Sequence, residues 1–93
     1  MKLLEPKEVL LEGRWIKTGG QVVADETSRR IEELISFQLT KLAASEDGWE
    51  VLYLDQRDGR YWELSYPHKE WHGGGPPSLA NVNHDHVRRK YSL

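Results

Sequence analysis

Cysteine is absent from these 93 residues, and methionine and phenylalanine occur once each. Without thiols, neither a disulfide framework nor a thiolate metal site can form, which suits a reducing compartment. No run approaches the ~20 consecutive apolar residues of a membrane-spanning helix. Near the N-terminus, Glu5, Pro6 and Glu8 stand where a signal peptide needs an unbroken apolar stretch, so the expected location is cytoplasmic. Internal repeats, low-complexity tracts and linkers are missing too, and residues 1–93 are expected to form a single domain.

A chain this short buries only roughly 60–65% of the surface its unfolded state exposes, so its core is thin. The four Trp and four Tyr therefore matter, because each buried ring removes a large area from water. The net charge is only −2. Its distribution is uneven: residues 25–63 carry five basic and ten acidic side chains. An acidic middle of this kind steers a basic partner.

Periodicity places the elements. Residues 8–16 are apolar enough for a buried strand, with Gly13 marking a bulge or a close approach. A turn at 17–20 leads to a short second strand over 21–24. Ile31, Leu34, Ile35, Leu39, Leu42 and Ala43 recur at spacings of three and four, which predicts one helix over 25–44, capped by Asp25 or Thr27. Phe37 falls off that stripe, as a flank contact or an exposed ring. Strands follow over 49–55 and 60–66, joined through Asp58-Gly59. An edge strand over 78–82 and a last helical turn or two from Asn83 to Tyr91 complete an α+β reading. It is an antiparallel sheet of four to five strands, with one main helix packed on one face. Trp15, Trp49 and Trp62 are expected to pack, and Trp71 to be exposed.

The most informative stretch is 57–77, RDGRYWELSYPHKEWHGGGPP. Three permissive glycines meet two stiff prolines beside several aromatic rings, which reads as an ordered loop on an aromatic floor. His72-Gly73-Gly74-Gly75 is similar to an esterase oxyanion loop, but no G-x-S-x-G nucleophile elbow accompanies it. No Gly-Lys-Ser/Thr follows the glycines, so a phosphate-binding P-loop is excluded. The pairs His68/His72 and His84/His86 lack metal-ligand spacing. Arg88, Arg89 and Lys90 are thin for nucleic acid, and no cofactor is expected.

DGRYWELSYP, HGGGPPSL, Gly13-Arg14-Trp15, RRIEEL and Gly48-Trp49 together resemble the immunity protein 27 family of bacterial polymorphic toxin and contact-dependent inhibition systems. The resemblance runs from about Val9 to Tyr91. It implies a small α+β protein, encoded beside a toxin gene, that binds the toxin's C-terminal domain and blocks it without catalysis. The family motif falls here on Arg14, Trp15, Arg60, Trp62, Glu63, Tyr66, Pro67, His72, Gly73, Gly74, Gly75, Pro76 and Pro77. The acidic middle would answer a basic toxin such as a nuclease. Asp47, Asp55, Asp58, Glu63 and Trp71 are the expected partner contacts. No membrane or nucleic-acid partner is expected. The rival reading is a small hydrolase or metal-dependent enzyme using the His72–Gly75 loop.

Overall fold

A computed structural model describes residues 2–93, and the His72 side chain lies outside what is described. Five strands form one antiparallel sheet in the order β1 (Leu10–Glu12), β7 (Ser78–Val82), β6 (Arg60–Ser65), β5 (Val51–Asp55), β4 (Thr40–Ala44). The β5–β6 hairpin sets the register, pairing Tyr53 with Trp62 and Leu52 with Glu63. Gly59 closes its turn at φ +77°, donating its N–H to the Asp55 carbonyl at 2.8 Å. Side chains alternate across the pleat. Tyr53, Trp62, Leu64, Leu79 and Leu11 therefore share one face, where Ile31 and Leu34 of helix α1 (Glu26–Glu33) and Leu4 join them in the core. Leu52, Glu63 and Ala80 lie on the opposite face, where helix α2 (His84–Tyr91) is anchored. Both helices begin as the sequence predicts. Asp25 accepts from the Ser28 N–H, and Asn83 from the His86 N–H, each at 2.8 Å.

The predicted helix over 25–44 ends as a strand. At Leu34–Gln38 the helix widens into a π-turn, and the Leu39 N–H reaches back five residues to the Leu34 carbonyl at 2.8 Å. Leu39 then turns extended and buries its side chain. Thr40–Ala44 pairs with β5 as an edge strand, bulged between Lys41 and Ala43. Interior strand β5 needs hydrogen-bond partners along both edges, and this demand outweighs the helical spacing of Leu42 and Ala43. Phe37 projects from the π-turn, 78% exposed.

The predicted strand over 8–16 is likewise two strands. The chain breaks at Gly13-Arg14, and β2 (Trp15–Thr18) pairs with β3 (Gln21–Ala24) in a separate two-stranded sheet. Gly13 is a close approach. Its N–H donates to the Pro77 carbonyl at 2.8 Å. A Cβ there would fall 2.7 Å from that oxygen and nearer still to Ser28 Oγ.

Three arginines fasten the N-terminal segment. Arg30 forks onto Glu8 at 2.7 and 2.8 Å, and these bonds first of all hold that carboxyl at about 2 instead of the usual 4.5. Arg57 donates to the Leu4 carbonyl at 2.6 Å, and Arg60 to the Glu8 and Glu5 carbonyls at 2.7 and 3.0 Å. Arg60 also lies 4.8 Å over the buried Trp62 ring.

Gly13→Ala should cost about 2–4 kcal/mol in urea denaturation, because the Pro77 backbone has to move. Gly19→Ala, in open space at φ +57°, should cost only about 1–2 kcal/mol of backbone strain. Equal losses at the two positions would show that the junction is not tight.

Candidate functional site

Residues 66–77 connect β6 to β7 at one end of the sheet, and the loop is fully shaped. Successive turns close through Lys69 N–H to Tyr66 O (3.0 Å), Trp71 N–H to His68 O (2.9 Å) and Gly74 N–H to Trp71 O (2.9 Å). Gly75, at φ +75°, lies so close to the His68 backbone that a Cβ would be 2.9 Å from its carbonyl carbon. Only glycine fits that combination of angle and space.

The loop arranges aromatic rings on both of its flanks. Trp71 stacks on His68 with centroids 4.2 Å apart and planes within 9°, and its ring centroid is 5.9 Å from that of Trp15. On the other flank Trp49 meets Tyr66 edge-on at 5.8 Å, and Gly74 sits against the Trp49 ring. Trp71 remains 45% exposed and Trp49 39%. The expected burial of Trp49 therefore fails. Strand β5 starts at Val51, leaving Trp49 on the turn, where one side of its indole faces water. A groove of about 390 Å³ runs among Glu12, Arg14, Trp15, His68, Trp71 and Pro76. A second, of about 340 Å³, is bordered by Trp49, Tyr66, Pro67 and Lys69. Half-exposed indoles around a rigid loop, with an arginine at the margin, are the composition of protein-binding hot spots.

The five expected contact residues do not form one surface. Asp47 lies at this end, in the β4–β5 turn, accepting from the Trp49 N–H at 3.0 Å and Ser45 Oγ at 2.7 Å, with Lys69 3.6 Å away. The first of these bonds, above all, holds its carboxyl below the usual range. Trp71 shares the same end. Asp58 lies at the opposite end, in the β5–β6 turn, bound to Arg60 at 2.8 Å. Asp55 is wholly buried, accepting from Gln38 at 2.9 Å and the Arg57 N–H at 3.0 Å, and has no surface to offer a partner. Strand alternation puts Asp55 on the Tyr53 face of β5, and the groups that satisfy it there come from the π-turn and the hairpin turn. Glu63 lies on the second face of the sheet, largely covered.

Around Glu63 the polar groups saturate one another. Its carboxylate accepts from Tyr91 Oη at 2.6 Å, faces His86 Nε2 at 3.2 Å and pairs with Lys90 Nζ at 3.0 Å. Lys90 also reaches Glu50 at 2.7 Å. Burial alone would raise the Glu63 carboxyl, but these hydrogen bonds outweigh it and hold the group below its usual value. Burial, followed by the bond to Glu63, pushes the Tyr91 phenol up. The cluster fastens α2 to the sheet; it touches the second aromatic groove through Glu50 alone and does not border the first.

The family motif divides between core and rim. Trp62 is buried, its indole N–H without a partner among the described residues, and Gly75 and Pro76 are the buried part of the loop. Arg14 and Pro67 are exposed, while Trp15 and Tyr66 are half-buried. His72 belongs to the undescribed side chains. An oxyanion role for the glycines loses one donor, because the Gly74 N–H is spent on Trp71. Among the described residues, no three His, Asp or Glu side chains gather as a metal would need.

The model of the immunity protein 27 family matches residues 17–83. The comparisons with curated proteins and with solved structures find no match. The matched stretch holds Glu63 and the entire loop but stops short of α2.

The α2 anchor is testable by pH. Because Glu63 is depressed in the folded state, its contribution is complete above its ordinary 4.5 and is lost as pH falls through its folded value. Glu63→Gln should cost on the order of 1–3 kcal/mol at pH 7 and flatten the acid limb of a stability–pH profile. An acid limb identical to that of the unaltered chain would remove Glu63 from this role.

Proposed function

The chain belongs to the immunity protein 27 family, and we propose that it neutralises a cognate toxin domain by binding it stoichiometrically in the cytosol, transforming nothing. One observation supports this reading most directly. The carboxylates and bases that could do chemistry are tied to one another, as at Glu63, while large aromatic rings are left half in water around a pinned loop. That division suits a protein that presents a surface. The described residues include no helix long and apolar enough to cross a membrane.

Neutralisation by occlusion sets physical requirements. A stable interface buries roughly 1,200–2,000 Å² in total, and nanomolar inhibition needs about −12 kcal/mol. A preformed loop helps, since little ordering entropy is lost on docking. The acidic excess of residues 25–63 supports a basic toxin, of the kind that grips nucleic acid.

Co-expression decides the matter. With the C-terminal domain of the toxin encoded beside this chain, growth should be restored, and the two proteins should co-purify as a 1:1 complex. Continued killing without a complex would sink the proposal. Turnover of ester or nucleic-acid substrates by the purified chain alone would favour an enzyme instead.

A further inference from the structure

Resting on that reading, we infer that the toxin docks end-on against the aromatic end of the molecule, formed by the β2–β3 hairpin and the 66–77 loop. It presents basic side chains around an apolar one that seats in the groove beside Trp15 and Trp71. Charge, exposed apolar surface and rigidity coincide there.

Segments 12–25, 45–50 and 66–77 meet at this end and carry six carboxylates (Glu12, Asp25, Glu46, Asp47, Glu50, Glu70) against Arg14, Lys17, Lys69 and Lys90, which α2 brings to within 2.7 Å of Glu50. Segments 2–9 and 55–60, at the far end, carry four of each sign. The negative charge of the whole chain is thus concentrated beside the aromatic grooves, where a basic partner gains most.

The β2–β3 hairpin adds exposed apolar side chains to this end. Its two four-residue strands have no further sheet neighbour, and Ile16, Val22 and Val23 are exposed. An isolated two-stranded ribbon is marginal in water, and bare β-branched residues on it call for a cover. By register Val22 lies on the same face as Trp15, and the tip of that indole is within 4 Å of the place a Gly73 Cβ would occupy. Trp15, Val22 and Ala24 therefore stand on one face beside the loop with Lys17 at their edge, and Ile16 and Val23 stand on the other.

The rival surface is the outer side of α1, with a groove of about 670 Å³ ending at the exposed Phe37 ring. Its walls mix Glu26, Glu32 and Glu33 with Lys2, Arg29 and Arg30, and Phe37 is its single apolar side chain. No sign of charge prevails there, and one isolated ring makes a poor anchor.

The test titrates the toxin C-terminal domain encoded beside this chain into the full-length protein by calorimetry. Trp71→Ala and Val22→Ser should each weaken binding, Trp71→Ala by about 30-fold or more. The double reversal Glu12→Lys with Glu70→Lys should slow association, followed by stopped-flow mixing, about tenfold at low salt and much less at high salt. Phe37→Ser should stay within about twofold. Val22 is exposed, so its variant reads the interface without disturbing the core. Tight binding by the unaltered chain that survives Trp71→Ala and Val22→Ser, or is lost on Phe37→Ser, overturns the end-on geometry and leaves the immunity reading standing. An unaltered chain that binds nothing overturns both.

Discussion

Three segments converge at Gly13, and the exposed end of the molecule is positioned by that convergence. The Gly13 N–H meets the Pro77 carbonyl, its α-carbon faces Ser28 in the first turn of α1, and the Asp25 N–H closes onto the neighbouring Arg14 carbonyl at 3.0 Å. A side chain at residue 13 would part all three. Because none is there, the chain turns out of the sheet and carries Trp15 against the glycine loop. The loop in turn is held by Gly75 against His68. Two glycines with different constraints, one of space and one of both space and angle, thereby fix where the aromatic rings stand.

The rest of the molecule supplies rigidity behind that end. Its sheet is covered on both faces, by α1 over the Trp62 side and by α2 over the Glu63 side. Buried or half-buried charges are matched within the chain: Asp55 with Gln38 and Arg57, Glu8 with Arg30, Glu63 with Lys90, His86 and Tyr91. Removing one member of such a set leaves the other stranded, so these groups define the fold more than they add to its stability. The surface left over is aromatic and acidic, concentrated at one end. That distribution suits the docking proposed above, and the membership of the immunity protein 27 family accords with it.

Alternation and turn chemistry made much of this legible in advance. The β5–β6 hairpin, the order imposed by Gly73–Pro77, the capping of both helices and the exposure of Trp71 follow from local rules. The failures share one cause. Residues 40–44 have helical spacing yet form a strand, Trp49 looks like a strand residue yet sits on a turn, and Asp55 looks like a surface carboxylate yet is buried. In each case a distant partner decides: the open edge of β5, the approach of Gly74, the amide of Gln38.

The amino-acid sequence by itself determined which residue types could be spared for a surface, where the chain must turn, and that an ordered aromatic loop stands at the heart of it. Such properties depend on backbone angles and on spacing within a few residues, which the chain carries locally. Tertiary structure alone decided which rings stay in water, which carboxylates are withdrawn, and that the acidic and aromatic groups meet at one end. Those outcomes depend on the distance between segments far apart in the chain, and that distance exists only once the sheet has closed.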